Sequence, residues 1–375
     1  MTGLGLPKAD RPKEVGLSAK RLARLSATFR QDVERNMIPG AVVLIARAGC
    51  IAYAEAFGWR DREAEAPMEL DAIFRIASMT KPLTSVAAMI LAEEGKLQIA
   101  APVAEYLLQF ADSTVGAERV PAKRVMTVQD LLRHTSGLTY AAFGDSAVQM
   151  IWRDAQPMAE NQTSAEMVTK LASLPLMFEP GTTWEYSMST DVLGRVVEVV
   201  SGQGLAAFID ARICRPLGLR DTGFAATGDR AARVAEPQTD PATGSRPPMR
   251  NVTNPGRWAS GGGGAVSTAA DYLRFCQMLL NGGELDGTRV LAPKTVALMG
   301  SDHLPPDCKY GETARPRFGA LPRSPRWGTA SAWASPCART PADAHCRARS
   351  ANISGAAFWA PLSGSTRSSA SSSWR

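Results

Sequence analysis

At 375 residues, 45% of them hydrophobic and 21% charged, the chain is long enough to bury a large core in one big domain or two interleaved ones. Its net charge of +6 marks no basic binding face: ten of the 42 Lys/Arg and four of the 36 Asp/Glu lie from Ser301 onward, which leaves 32 of each before it. No apolar run reaches bilayer length and Met1 to Glu14 lacks the apolar stretch of a secretory signal, so neither nucleic acid nor membrane is expected as a partner, and the expected location is cytoplasmic.

Residues 18–35 carry Leu22, Leu25, Phe29 and Val33 at helical spacing behind a candidate Ser18 cap. Two β-like runs over 41–57 flank Ala48-Gly49 and predict a hairpin. Residues 79–95 predict a strong helix with an apolar stripe of Leu83, Val86, Met89 and Ile90, continued by Leu97. From about 100 to 215 the pattern is mostly helical, with loops at Pro157, Pro175 and Pro180 and successive helices over 190–201 and 204–214 broken at Ser201-Gly202. The stretch 225–258, rich in Pro, Thr, Asn and Gly, predicts a loop. After a glycine run at Ser260 to Gly264, a helix over about 268–280 stops at Asn281-Gly282-Gly283. No solenoid repeat is present. Strands, then helices, then strands again predict an α/β fold with a helical insertion: an antiparallel sheet flanked by helices, plus a mostly helical domain. The expected division is 1–98 and 216–375 for the α/β part and 99–215 for the helical one.

The segment Phe74-Arg-Ile-Ala-Ser78-Met-Thr-Lys81-Pro82 carries the chemistry. In S-x-x-K the serine and lysine stand one helical turn apart and share a face. A Ser78 that opens the helix has its hydroxyl at the positive end of the dipole, where an oxyanion is stabilised. Pro82 is tolerated in the first turn, where early N–H groups lack partners. Burial favours the neutral form of an amine, so a buried Lys81 could accept the serine proton. Other chemistries lack residues. A Ser-His-Asp triad needs a histidine, and in the well-patterned region only His134 is available. The G-x-S-x-G elbow is absent. The glycine run is followed by no G-K-S/T, so close backbone approach explains it better than a phosphate cradle. Three histidines without an H-x-x-x-H make no metal site, and Cys50, Cys214, Cys276, Cys308, Cys337 and Cys346 form no C-x-x-C pair and read as free thiols.

Three segments in order, IASMTKPLTSVAAMILAEEGKL, FEPGTTWEYS and SGGGGAVSTAADYLRFCQMLLNGG, resemble the family VIII carboxylesterases, relatives of class C β-lactamases and D-alanyl-D-alanine peptidases. The resemblance runs from about residue 18 to about 300 and implies the class C β-lactamase-like form of the fold, with the segment Arg133 to Leu138, which holds His134, as a structural turn. It implies Ser78 as acyl acceptor, Lys81 as its lysine partner and Tyr186 of Tyr186-Ser187-Met188 as general base or proton shuttle. It implies hydrolysis of a small-molecule carboxylic ester without cofactor or metal, and a homo-oligomer is plausible. β-Lactamases usually carry asparagine where Met188 stands, and methionine cannot hydrogen-bond a substrate amide, which favours an esterase. A β-lactam or amide hydrolase on the same residues is the first alternative, and a non-catalytic penicillin-binding-like protein the second.

The family's third motif, K-T-G, W-G-G or H-x-G on the strand beside the serine, is not found. Residues 328–375 contain no Val, Glu, Lys or Tyr, the opposite of a closing strand. Read two nucleotides out of frame with permissible G/C-rich codons, Gly328 onward comes close to HGFGLGFAVRT, and Ala348 onward yields a W-x-G motif followed by an apolar strand. A frameshift between about Tyr310 and Trp327 is therefore expected.

Overall fold

The computed structural model of the chain describes residues 4–240, 243–254 and 256–311. Helix α1 (Ala19–Glu34) opens at Ser18, whose Oγ accepts the Arg21 N–H at 3.4 Å, as an N-cap serine should. It lays Phe29 on Phe57 with ring centroids 5.2 Å apart. Phe57 belongs to the expected hairpin, in which β1 (Gly40–Arg47) and β2 (Cys50–Asp61) pair antiparallel. The turn residues Ala48 and Gly49 have φ of 53° and 76°; two positive values match the turn to the twist of its strands. A short β3 (Ala66–Pro67) extends the sheet in the order β1-β2-β3.

Strand β4 (Phe74–Arg75) leads through a 3-10 turn, Ala77–Met79, into α2 (Thr80–Glu93). Of its 14 residues 11 are buried, including Leu83, Val86, Met89 and Ile90. A helix buried nearly all round is a central element, and α2 packs on the later helices Ser189–Ser201 and Leu205–Ile209.

A two-stranded ribbon, β5 (Thr114–Val115) and β6 (Val120–Pro121), precedes the helices α3 (Val128–Leu132), α4 (Ala147–Ala155) and α5 (Ser164–Ala172). Each of the three opens with a capping box, Thr127 with Asp130, Ser146 with Gln149 and Thr163 with Glu166, so local sequence sets where they begin. After β7 (Thr183–Trp184) comes α6 (Ser189–Ser201), ended by Gly202 at φ 69°. That left-handed residue is the usual helix stop. The chain bends by 78° into Leu205–Leu217, which runs as α7 (Leu205–Ile209), a π-turn and α8 (Arg215–Leu217).

The expected loop 225–258 holds a 3-10 turn, Gly228–Arg233. Beyond it β8 (Val266–Ser267) pairs antiparallel with β4, directly before the S-x-x-K turn. Helix α9 (Ala269–Leu280) is capped by Thr268 and stops where the glycines predict. The hairpin β9 (Glu284–Leu285) and β10 (Thr288–Arg289), helix α10 (Pro293–Met299) and β11 (Lys309–Tyr310), parallel to β7, complete the described chain. The closing strands and the suspected frameshifted tail, 328–375, lie outside the described residues. Among the described residues no single helix is long and apolar enough to cross a membrane.

Leu83 is fully buried in α2. Leu83→Ala should lower the unfolding free energy by about 2–5 kcal/mol through a cavity in the core. Urea titration would show this as a lower midpoint with an unchanged slope; an unchanged midpoint would deny α2 its central place.

Candidate active site

The structure brings Ser78, Lys81 and Tyr186 together. Ser78 sits half-buried in the 3-10 turn before α2, and the residue before it, Ala77, has φ of 44°. A left-handed alanine is strained and persists only where surroundings hold it. Here they do: Thr80 Oγ1 donates to the Ala77 carbonyl at 2.7 Å and accepts the Ala265 N–H at 3.0 Å, while the Ile76 N–H donates to the Ala265 carbonyl at 3.0 Å. Tyr272 OH adds a bond to the Met79 carbonyl at 3.0 Å. The turn is thus pinned to the chain entering β8. Among the described residues the Ser78 N–H donates to no carbonyl, and it lies at the entrance of a helix, where a developing oxyanion is stabilised.

Lys81 is 2% exposed, one turn into α2. Its Nζ reaches the Gly262 carbonyl at 2.6 Å, Ser78 Oγ at 3.2 Å and Tyr140 OH at 3.5 Å. Three partners match the three N–H bonds of an ammonium. In the neutral amine one of the three directions becomes a lone pair, which can face the Ser78 hydroxyl. The Tyr186 ring carries Lys81 Nζ 4.6 Å from its centroid, and its OH donates to Ser78 Oγ in a short hydrogen bond. Ser78 Oγ therefore stands between an amine and a phenol.

Met188, the third residue of the tyrosine motif, is fully buried, so it offers no polar contact to a bound acyl group. The glycine run does bring backbone close. A Cβ on Gly262 would stand 2.3 Å from Asp191 Oδ2, and one on Gly261 would stand 2.7 Å from the Thr190 carbonyl.

Neighbours that the sequence did not single out complete the site. Tyr140 lies 5.5 Å, ring to ring, from Tyr186, and burial pushes its phenol up, with the charges of Asp191 and Tyr186 adding to the shift. Asp191 is 2% exposed; burial raises its carboxyl, against the pull of Lys81. No spacing links either residue to S-x-x-K, and an aspartate in the first turn of a helix is ordinary, so neither carried a signal. His134, expected in a structural turn, adopts φ of 59° and packs its ring 5.1 Å from Tyr186. Its Nδ1 accepts the Ser187 N–H at 3.3 Å, which places the ring proton on Nε2. The turn is anchored by Asp130, whose buried carboxylate accepts from Arg124, Arg133, Thr127 and Thr135. Among the described residues no three His, Cys, Asp or Glu side chains gather as metal ligands.

The β-lactamase family profile matches residues 25–313. A protein of Mycobacterium tuberculosis, Rv1367c, is 38% identical over 291 residues, which cover 74% of this chain and 71% of that one. Esterase EstB of Burkholderia gladioli is 36% identical over 294 residues, 72% of each chain. Among solved structures, EstCE1, described as a hydrolase with promiscuous acyltransferase activity, is similar at 29% identity, with a TM-score of 0.65 over 77% of both chains.

Burial, with the Lys81 charge, pushes His134 down to about 3 from an ordinary 6.5. Below pH 6.5 the unfolded chain takes up a proton that the native state refuses until about pH 3, so His134 lowers stability progressively across that window and not above it. His134→Asn keeps an acceptor for the Ser187 N–H and tolerates a left-handed backbone. Between pH 7.5 and 5 the wild type should lose about 2 kcal/mol more than this variant. Denaturation at the two pH values measures it; equal losses would mean that His134 protonates in the native state.

Proposed function

We propose that this chain, which belongs to the β-lactamase family, is a serine carboxylesterase that carries the acyl group on Ser78 and moves protons through Lys81 and Tyr186. The observation that carries the reading is the convergence of Lys81 Nζ and Tyr186 OH on Ser78 Oγ. The likeness to EstB supports an ester as substrate, and the buried Met188 gives an amide no partner.

Ser78 Oγ attacks the ester carbonyl and its proton passes to the Lys81–Tyr186 pair. The carbonyl oxygen gains the electron pair and lies toward the Ser78 N–H at the helix entrance. When the tetrahedral carbon collapses, the bond to the alcohol oxygen breaks and the pair returns the proton to it. Water then attacks the acyl-enzyme, gives a proton to the pair, and leaves as the carboxylic acid while Ser78 recovers its hydrogen. Each step moves one proton to or from the Lys81–Tyr186 pair, and the sequence of steps needs no cofactor. The stretch in which the third family motif would be expected to add an oxyanion donor lies outside the described residues. An alcohol in place of water makes the same site an acyltransferase, a second reading favoured by the likeness to EstCE1.

Hydrolysis of p-nitrophenyl butyrate beside a chromogenic cephalosporin tests the reading. Ester turnover should exceed cephalosporin turnover and fall to the uncatalysed background in Ser78→Ala. Tyr186→Phe should cost about 10²–10⁴-fold in kcat. Ester turnover that survives Ser78→Ala, or none from a folded wild type, overturns the assignment.

A further inference from the structure

The mechanism uses Ser78, Lys81 and Tyr186 and leaves a buried carboxylate without a role. Asp191 stands in the first turn of α6 and is 2% exposed. An acidic residue there ordinarily serves the N–H groups of its own helix. Asp191 turns elsewhere: its Oδ1 accepts Ser260 Oγ at 2.5 Å and the Gly262 N–H at 3.0 Å. The carbonyl of that same Gly262 accepts Lys81 Nζ at 2.6 Å. One glycine residue therefore ties the carboxylate to the amine, with its N–H on one and its C=O on the other.

The loop is clamped from the α2 side as well, where Thr84 Oγ1 donates to the Gly261 carbonyl at 2.8 Å. No side chain fits between loop and carboxylate, since a Cβ on Gly262 would stand 2.3 Å from Asp191 Oδ2. Charge adds to geometry. When Lys81, itself 2% exposed, takes the serine proton it becomes a buried ammonium, and a nearby negative charge stabilises that state.

We propose that Asp191 is a positioning residue for the proton relay: it fixes Gly262 so that its carbonyl holds Lys81 against Ser78, and its charge balances the Lys81 ammonium. This rests on the reading of Ser78 and Lys81 as nucleophile and base. Beside Asp191, the groups that face Lys81 are Ser78 from the turn before α2, Tyr140 and His134 from the segment after α3, and Tyr186 from the segment before α6. Of these Asp191 supplies the carboxylate.

Asp191→Asn keeps the shape and an acceptor oxygen and removes the charge. The test follows Ser78 phosphonylation by a fluorophosphonate probe across pH, read by intact mass, with p-nitrophenyl butyrate hydrolysis and thermal melting in parallel. In Asp191→Asn the plateau rate should fall about 10-fold or more. Its acid limb should move down by about one pH unit, because loss of a negative charge makes whichever group sets the limb easier to deprotonate. The fall should appear in kcat rather than KM. Ser260→Ala keeps the carboxylate, so its plateau should drop less and its acid limb should stay in place. Should Asp191→Asn not fold, Gly262→Ala tests positioning, because its methyl group pushes loop and carboxylate apart: labelling should slow about 10-fold with a lower but still cooperative melt. An Asp191→Asn acid limb that stays in place, or Gly262→Ala labelling at the wild-type rate, overturns the proposal. A wild type labelled at Ser78 that turns over no ester overturns the esterase reading and leaves this test intact. A folded wild type that is not labelled overturns both.

Discussion

Lys81 carries a primary amine into the interior, and the rest of the site follows from what that amine needs. A buried ammonium without partners is among the least favourable groups a fold can hold. This one has an acceptor on each N–H: a carbonyl, the serine hydroxyl and a tyrosine hydroxyl, with a second tyrosine ring beneath it. The same partners serve the neutral amine once one direction becomes a lone pair. A group that is adequately held in both protonation states can pass a proton at low cost, which acid–base catalysis requires.

These partners come from four places in the sequence, and each is fixed by local chemistry. The turn before α2 is held in a strained shape by the Thr80 hydroxyl, buried between the Ala77 carbonyl and the Ala265 N–H. The segment with His134 and Tyr140 hangs from Asp130, whose carboxylate also closes the capping box of α3. Tyr186 lies just before α6, and the glycine loop is wedged between α2 and α6 by Thr84 and Asp191. Helix α2, buried nearly all round, is the element against which the other three are set.

How much of this could be read beforehand depended on range. The S-x-x-K pair was legible because its geometry is intrinsic to one helical turn. The hairpin at Ala48-Gly49, the break at Gly202 and the end of α9 were legible because glycine and cap residues act locally. The glycine run was correctly read as close backbone approach, but what approached it was not, since Asp191 lies 69 residues before Ser260. Tyr186 was legible only through resemblance to a family, and Tyr140 not at all, because no local rule connects an aromatic residue to a lysine 59 positions away. The 3-10 turn at Gly228–Arg233, inside a stretch rich in loop-forming residues, shows the opposite limit: composition gives the absence of long elements and not the short ones.

The place of His134 fits the proposed relay through a lysine and a tyrosine in a site that also contains a histidine. Its ring packs against Tyr186, yet Nδ1 is occupied by the Ser187 N–H. Burial and the Lys81 charge hold it neutral down to about pH 3. An imidazole that resists protonation so strongly is a poor base at neutral pH, because the product of proton uptake is the state its surroundings disfavour. It is useful instead as a rigid, uncharged support for the phenol. Lys81 is surrounded differently, with three acceptors around its nitrogen and a carboxylate beyond the Gly262 carbonyl. The two side chains also differ in access to the serine: Lys81 Nζ lies 3.2 Å from Ser78 Oγ, whereas His134 Nδ1 is taken up by the Ser187 N–H.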